Sequence, residues 1–356
     1  MTVAVTFVSY DDTPPQGGQG VELDGMRRAV RQHDIAVTTL SGRGDHALSF
    51  PRRTGRAPLD FSLHMNRRLD LIDDTDPDVV HALGGPGGVL ITRRPHAPLI
   101  YTANHTYRQA HRRGRPQRML VLAERRSYQL AERILAISES TAHAVRDLGI
   151  PGARIEVVPP GVDADTNVDD SQRDPHRILF VGRLEPEKGV LDALDVMQVL
   201  AFRDPATTGV VIGSGSLEAT VRRRALGSKG RIEFLGRVDD DRRIAEMRRA
   251  AVVLQPSLYE GLGLVALEAM GRGAVVIGYQ VDGLIDSIPA SGGGALVPVG
   301  ARACLAEEVG MLFRDPGRRT EMASAGHAWV LANHSWAGVG ERVATLYRDV
   351  TGIRDR

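Results

Sequence analysis

Short apolar runs alternate with amphipathic segments along the chain of 356 residues, and this alternation constrains the fold more than any other feature. A short apolar run followed by a helical period predicts a strand and a crossover helix, and a series of such units predicts parallel sheets covered by helices. One series begins with the run at Val3–Ser9, and a second begins at Arg177–Val181. The sequence therefore predicts an α/β protein with two doubly wound domains and a cleft between them, in which ligands bind beyond the carboxyl ends of the strands.

The two series are separated by a polar segment that is rich in Pro and Asp and has no period. We predict a first domain over residues 1–163, a linker over 164–176 and a second domain over 177–335. Residues 336–356 have a helical pattern and are predicted as a helix that packs back toward the first domain. The glycine-rich segment 278–294 receives no prediction.

The composition is that of a soluble globular protein and gives no sign of a nucleic-acid or membrane partner. With 45 basic and 44 acidic residues, the net charge is +1, which gives no reason to expect a nucleic-acid partner. Cys304 is the single cysteine, so neither an intrachain disulfide nor a Cys-based zinc site can form. The amino terminus lacks the features of a signal peptide, and no apolar run reaches about 18 residues. We therefore expect a cytoplasmic protein without membrane insertion.

Two glutamates separated by seven residues, Glu260 and Glu268, follow a predicted strand, and we expect Glu260 on the loop and Glu268 on the helix that comes after it. One carboxylate can accept two O–H donors, so such side chains commonly bind ribose or sugar hydroxyls. The backbone amides of Gly263 and Leu264 open the helix and are suited to an anion. Taken alone, such a pair more often belongs to an ordinary capped helix with a solvent-facing Glu268.

A second motif, residues 180–189, also follows a predicted strand and opens a helix, and it contains Arg183 and Lys188. The guanidinium of arginine and the ammonium of lysine can converge on one phosphate group from such a loop. A solvated basic turn is the alternative. Lys188 is one of only two lysines in a chain whose other basic residues are all arginine, and this favours the functional interpretation.

Taken together in their order and spacing, these motifs closely resemble family 4 of the glycosyltransferases, retaining enzymes of the GT-B fold with two facing Rossmann-like domains. The stretches that carry the resemblance in the second half are residues 182–189, 211–215, 234–236 and 260–270. The first half matches more loosely, through residues 14–20, 78–81, 102–105, 137–140 and 159–163. One departure is Leu262, where the family commonly has phenylalanine.

The resemblance implies a role for each matching residue of the second domain. Arg183 and Lys188 would hold the donor diphosphate and neutralise it as it leaves. Glu260 would contact hydroxyls of the transferred sugar, and Glu268 would bind the nucleotide ribose. The backbone at Gly236, Arg237 and Val238 would flank the base.

In the first domain, the resemblance implies that the turn at Gly17 and Gly18 approaches the diphosphate closely, which the lack of side chains permits. His105 would lie near the sugar and the reacting centre, and with Arg183, Lys188 and Glu260 it completes the catalytic set. His81 is expected to be packed within the domain. The expected reaction is transfer with retention from a nucleotide-diphosphate sugar, of UDP or GDP type, without a resident cofactor or metal.

The sequence leaves the acceptor open among a small soluble metabolite, which we favour, a lipid and a polysaccharide. Arg-rich stretches at 42–58 and 108–118 are candidate loops for an anionic acceptor or a membrane surface, or else solvated loops. Asp76-Pro-Asp78 is interpreted as a turn, and Asp239–Asp241 as a helix start rather than a metal site.

Other functions are also compatible with parts of the sequence. An epimerase or hydrolase of the same fold and a non-catalytic sugar-binding protein share the expected polar groups. A dinucleotide-dependent oxidoreductase is suggested by Gly213-Ser-Gly215 and by residues 17–20, but neither gives Gly-x-Gly-x-x-Gly at a first strand-to-helix turn.

Overall fold

The structure is a computed structural model that describes residues 2–15, 17–110 and 118–353. The chain divides into two compact units, the first formed by residues 1–161 with 334–356 and the second by Val162–Asn333. Each unit contains a six-stranded sheet in which the paired strands run parallel. The α/β class predicted from the sequence is confirmed.

In the first unit, the sheet has the strand order β2-β1-β3-β4-β5-β6. Its strands are β1 Val3–Ser9, β2 Ile35–Ser41, β3 Val79–Gly84, β4 Leu99–Ala103, β5 Arg133–Ala136 and β6 Ile155–Val157. Its helices before the second unit are α1 Gly18–Val30, α2 Ala57–Arg67, α3 Asp70–Asp73, α4 Tyr107–Ala110, α5 Arg118–Leu130 and α6 Glu139–Arg146. Ser138 caps α6 by accepting the N–H of Thr141 at 3.1 Å.

Both faces of the first sheet are buried, which explains why its strands appear in the sequence as continuous apolar runs. Because side chains alternate along a strand, Phe7 and Val8 of β1 enter two different apolar clusters, one on each face. The cluster with Val8 contains Phe61 and Met65 of α2, and the cluster with Phe7 contains Leu23 and other residues of α1.

The second unit repeats the architecture with the strand order β12-β11-β10-β7-β8-β9. Its strands are β7 Asp174–Val181, β8 Thr208–Ile212, β9 Ile232–Gly236, β10 Ala250–Gln255, β11 Val275–Tyr279 and β12 Gly294–Val297. Its helices are α7 Val190–Arg203, α8 Glu218–Gly227, α9 Asp240–Arg249, α10 Leu264–Met270, α11 Asp282–Ser291, α12 Arg302–Arg314 and α13 Pro316–Asn333.

The last helix, α14 Trp336–Thr351, belongs to the first unit and packs along α1. The ring of Trp336 lies so close to Gly25 of α1 that a Cβ at residue 25 would approach it to 2.0 Å. Near the other end of the helix, the buried hydroxyl of Tyr347 lies 2.6 Å from Nδ1 of His81 in β3. His81 is therefore a packed residue, as the sequence analysis expected.

Residues 164–176, which we predicted as a linker, are part of the second unit. The N–H of Asp165 donates to the carbonyl of Gly271 at 3.0 Å, and Arg173 donates to the carbonyls of Ala250 and Arg272. Strand β7 also begins earlier than the apolar pattern indicated, at Asp174. The polar side chains of this segment are used for hydrogen bonds to the unit, a use that composition cannot distinguish from solvation.

The glycine-rich segment 278–294 contains α11 and the start of β12. Gly292 ends α11 in the left-handed region, with φ of 65°. A Cβ at Gly294 would approach the carbonyl oxygen of Val276 to 2.0 Å, so only glycine permits β12 to pair at this point with β11. The glycines thus end one element and begin the next.

Candidate functional site

Two loops leave the carboxyl edge of the second sheet side by side, because β7 and β10 are parallel neighbours. The loop after β7 spans residues 182–189, and the loop after β10 spans residues 256–263. The N–H of Leu258 donates to the carbonyl of Glu187 at 2.8 Å. Gly189 has a φ of 69°, and a Cβ there would lie 1.9 Å from the carbonyl oxygen of Pro256. A glycine is therefore required for these two loops to touch.

This contact joins the two motifs singled out in the sequence, because Lys188 Nζ lies 2.6 Å from Glu260 Oε1. The two side chains are only 19% and 11% exposed. Glu260 Oε1 also accepts hydrogen bonds from the Ser257 hydroxyl at 2.8 Å and from the Gln255 amide at 3.0 Å. Burial opposes ionisation of Glu260, but the charge of Lys188 and these hydrogen bonds outweigh it and lower the pKa. Glu260 is therefore a fixed, ionised acceptor beside a fixed cation.

Arg183, at the start of the first of these loops, is 55% exposed and lies 3.2 Å from Glu187. Its guanidinium also interacts with the side chain of Tyr259, whose ring lies 6.0 Å from Lys188 Nζ. Tyr259 therefore lies beside both basic side chains that the sequence assigned to the diphosphate.

Glu268 lies in α10, where it forms an ion pair with Arg243 of α9. Its side chain is 13% exposed, so the ordinary interpretation of a solvent-facing Glu268 is wrong. Gly263, directly before Leu264 and the helix, has a φ of 88° and packs against Leu284 of α11. Arg243 was not predicted as the partner of Glu268, because no local sequence pattern relates an arginine to a glutamate 25 positions away.

The backbone expected to flank the base lies at the end of β9, on the same edge of the second sheet. Gly236 has a φ of 68°, and a Cβ there would meet no atom within 4 Å. Arg237 is exposed and Val238 is half-buried. Asp239 caps α9 by accepting the N–H of Arg242 at 2.8 Å, which confirms the predicted helix start.

In the first unit, Gly17 and Gly18 are exposed and form the start of α1, while His105 follows β4 and is half-buried. All three lie at the carboxyl edge of the first sheet. The neighbouring Asn104 donates its side-chain amide to Glu22 of α1, a contact that the sequence analysis missed. Burial raises the pKa of Glu22 to about 7, and the bond from Asn104 offsets part of this effect.

Two consecutive aspartates after β1, Asp11 and Asp12, were also missed. Asp11 pairs with Arg43 at 2.7 Å, and Asp12 pairs with His46 at 2.7 Å and with Arg27 at 2.8 Å. The signal that could have found them is their position just after the carboxyl end of the first predicted strand.

The structure describes the Arg-rich stretch 42–58 completely and the stretch 108–118 only in part. In the stretch 42–58, Arg43 is bound to Asp11 and Arg52 lies over the ring of Phe50. Residues 111–117 of the stretch 108–118 lie outside the described residues. Arg108, which is described, donates to the carbonyl of Asp147 at 3.2 Å.

In the Asp76-Pro-Asp78 turn, which superficially resembles a metal-binding pair of aspartates, the Asp78 side chain is used for a hydrogen bond to the backbone. Asp78 Oδ2 accepts the N–H of Ala4 at 2.8 Å and so ties the turn before β3 to β1. Within residues 2–15, 17–110 and 118–353, no three His, Cys, Asp or Glu side chains form a group that could hold a metal ion. None of the helices in these ranges is long and apolar enough to cross a membrane.

Both halves of the chain match family models of known glycosyltransferases. Residues 163–329 match the family model of glycosyl transferases group 1, and residues 16–166 match that of glycosyltransferase family 4. A D-inositol 3-phosphate glycosyltransferase of Acidothermus cellulolyticus is 31% identical over 309 residues, which cover 78% of this chain and 68% of the relative. A glycogen synthase of Mycobacterium tuberculosis is 27% identical over 319 residues, covering 85% and 76%.

Among solved structures, Anabaena HepE in complex with UDP-glucose is similar over 98% of this chain and 100% of that chain, with a TM-score of 0.77 and 17% identity. At this identity the likeness establishes the fold alone. The two parallel six-stranded sheets of this chain match the GT-B fold that the sequence motifs predicted.

Proposed function

Since this chain belongs to glycosyltransferase family 4 and has the GT-B fold, we propose that it transfers a sugar with retention from a nucleoside-diphosphate sugar to a small soluble acceptor. The chain is a nucleotide-sugar-dependent glycosyltransferase. The stereochemistry, the donor and the acceptor are the parts that we propose.

The contact between Lys188 and Glu260 carries the proposal. A nucleotide-sugar donor has an anionic diphosphate joined directly to a sugar with several hydroxyls. A largely buried ammonium beside a largely buried carboxylate matches these two parts of the donor, the charged diphosphate and the sugar hydroxyls. Among the residues that the structure describes, the hydrogen bonds to the Glu260 carboxylate all go to Oε1, which leaves Oε2 for a sugar hydroxyl.

The two carboxylate oxygens of Glu268 also differ in their contacts, and this supports binding of the nucleotide ribose by Glu268. Arg243 donates to Oε2 of Glu268, and within the described part of the chain no hydrogen bond goes to Oε1, which can then accept from a ribose hydroxyl. The open space beside Gly236 suits a planar base, with the backbone of Arg237 and Val238 at its edge. The donor that we propose is of UDP or GDP type.

The reaction breaks the bond between the anomeric carbon and the diphosphate oxygen, and it forms a bond from that carbon to the acceptor oxygen. Negative charge develops on the diphosphate, and positive charges fixed beside it stabilise the transition state. We assign this role to Arg183 and Lys188 without a metal ion. With retention, the acceptor attacks from the face that the diphosphate leaves, and a departing phosphate oxygen takes the acceptor proton. His105 and the Gly17–Gly18 turn would contribute from the first unit.

Thermal unfolding with UDP, GDP and ADP, each in the presence of EDTA, tests the donor site. We expect one nucleotide to raise the melting temperature by several degrees, since a ligand at about 100 times its Kd adds about 2.7 kcal/mol of stability. If no nucleotide stabilises the protein and no nucleotide sugar is consumed, the assigned donor site is wrong.

The configuration of the product tests retention. With an α-linked donor of the identified base, NMR of the product should show an α anomeric proton. A β-linked product would rule out retention. Free sugar or an epimerised donor as the only product would favour the hydrolase or epimerase alternatives.

A further inference from the structure

Two buried aspartates in the first unit each hold one basic side chain from a neighbouring loop. Asp11 Oδ1 accepts hydrogen bonds from Arg43 Nε at 3.1 Å and from Nη2 at 2.7 Å. Asp12 Oδ2 lies 2.7 Å from Nδ1 of His46 and also accepts the backbone N–H of His46 at 3.3 Å. A carboxylate at Nδ1 keeps the proton on that nitrogen, so Nε2 of neutral His46 is a hydrogen-bond acceptor.

The loop that carries Arg43 and His46, residues 42–48, is held to the segment after β1 by its backbone. The N–H of Gly42 donates to the carbonyl of Ser9 at 3.1 Å, and the N–H of Asp45 donates to the carbonyl of Thr13 at 2.8 Å. Gly44 has a φ of 104°, and a Cβ there would lie 2.8 Å from the Thr13 carbonyl. The two basic side chains are therefore oriented before any ligand arrives, which reduces the entropic cost of binding.

The exposed fractions of these side chains show that the basic partners, and not the aspartates, can reach a ligand. The Asp11 and Asp12 side chains are 6% and 0% exposed, whereas those of Arg43 and His46 are 38% and 50% exposed. Burial opposes the charge on Asp12, but the bond from His46, a backbone bond and the charge of Arg27 hold its pKa below the usual value. In the part of the chain that the structure describes, the His46 ring makes a hydrogen bond only through Nδ1. The loop therefore presents both Nε2 of His46 and the guanidinium of Arg43, each held by one of two adjacent aspartates.

The position of this surface points to a ligand. The loop follows β2 and contacts the segment after β1, and these strands are parallel neighbours in the sheet. It therefore lies at the carboxyl edge of the first sheet, the same edge that carries Gly17, Gly18 and His105. Sheets of this type bind their ligands at that edge.

The charges of this cluster indicate what kind of ligand it takes. The carboxylates of Asp11, Asp12 and Asp24 balance the guanidinium groups of Arg27, Arg28 and Arg43, so with a neutral His46 ring these linked side chains carry no net charge. A phosphate gains little net attraction from such a cluster. Hydroxyl groups suit it, because a hydroxyl can donate to Nε2 of His46 and accept from Arg43.

Building on the function proposed above, we propose that Arg43 and His46 form the acceptor subsite and that it takes an uncharged, hydroxyl-rich molecule such as a sugar or a cyclitol. One acceptor hydroxyl donates to Nε2 of His46, and a second oxygen accepts from the Arg43 guanidinium. Both residues act by binding and orienting the acceptor.

The test begins with transfer by the full-length protein from the donor identified by thermal unfolding. The acceptor probes are glucose, myo-inositol and their monophosphates, glucose 6-phosphate and D-inositol 3-phosphate, with products measured by mass spectrometry. The variants are His46→Asn, whose amide can still donate to Asp12 but lacks Nε2, and Arg43→Gln. His96→Asn is the matched control, because His96 is bound to Asp73 through Nδ1 at 3.0 Å but lies before β4, at the opposite edge of the sheet.

We expect transfer to an uncharged probe in preference to its phosphate. Each of the two variants should raise the KM for that acceptor by about tenfold or more, the size expected for one lost hydrogen bond to a held polar group. The KM for the donor should change little, and the control should match the wild-type protein in both constants.

Three results would overturn the proposal: preference for a phosphorylated probe, unchanged acceptor KM in both variants, or consumption of the donor without transfer to any probe. Absence of nucleotide binding and of donor consumption in the wild-type protein is a different result, because it overturns the proposed function itself.

Discussion

Lys188 and Glu260 form an ion pair in which each partner keeps the other in place before a donor binds. Taking two charges out of water is costly, and removal of one partner leaves the other buried without compensation. Because Ser257 and Gln255 also donate to Glu260, part of this compensation survives the loss of Lys188. Lys188 therefore contributes both to the proposed diphosphate site and to the stability of the second unit.

Arg183 provides the contrast, because it belongs to the same loop but is 55% exposed. Lys188→Ala and Arg183→Ala should each lower turnover by about 10²–10³, the usual loss for one preorganised charged donor. Lys188→Ala should also lower the free energy of unfolding by about 1–3 kcal/mol, because it removes a hydrogen-bonded partner from a buried group. Arg183→Ala should leave that free energy almost unchanged. Steady-state rates and urea unfolding measure the two effects separately.

If both variants kept wild-type turnover, the assignment of the diphosphate site would be wrong. If both lost the same stability, burial would not be what distinguishes the two residues. Matched losses of turnover with unmatched losses of stability are the pattern that the structure supports.

At the scale of elements, the loops after β7 and β10 are held together by backbone geometry at Gly189. Its φ of 69° disfavours other residues, and a Cβ would lie 1.9 Å from the carbonyl of Pro256. The loops must therefore separate if any side chain is added. The distance between Lys188 and Glu260 depends directly on this contact.

Gly189→Ala should consequently destabilise the protein by about 2–4 kcal/mol and reduce turnover at least as far as Lys188→Ala does. Gly300→Ala is the matched control, since Gly300 has a φ of 85° but a Cβ there would meet no atom within 4 Å. The control carries only the backbone strain, about 1 kcal/mol, and should keep its activity. Equal behaviour of the two variants would show that the loop contact is unimportant.

The motif loops could be predicted from the sequence because their functional residues are close in the chain and follow apolar strands that are easy to recognise. Arg183 and Lys188 are on one loop, and Glu260 and Glu268 follow one strand. Position at a strand end is enough to place such residues at the ligand-binding edge of a parallel sheet.

The partners of these residues could not be predicted in the same way. Arg243 lies in the helix before β10, and His46 is 34 positions from Asp12. Each pair depends on how far a loop or helix extends and on how it packs, which local periodicity does not encode. No prediction could be made for segment 278–294 for a related reason, because Gly292 ends a helix and Gly294 permits a close approach to β11, whereas the composition suggested a loop.

At the scale of the whole molecule, the first unit is discontinuous in sequence, whereas the second is one continuous segment. Helix α14 covers the same face of the first sheet as α1, and its Val343 and Tyr347 are fully buried. Burial of such side chains contributes about 1.5–3 kcal/mol each. Loss of the helix would therefore remove much of the net stability of a domain, which is about 5–15 kcal/mol.

A chain that stops after Asn333 should therefore lose the structure of its first unit and keep that of its second. In hydrogen exchange followed by mass spectrometry, peptides from residues 2–161 should exchange rapidly, and peptides from Val162–Asn333 should stay protected. A chain that stops after Thr351 keeps all of α14 and should protect both units, so it controls for the shortening itself. Protection of the first unit in the shorter chain would show that α14 is dispensable. Loss of protection in both units at once would show that the second unit depends on the first for its stability, even though its sheet and helices all come from one continuous segment.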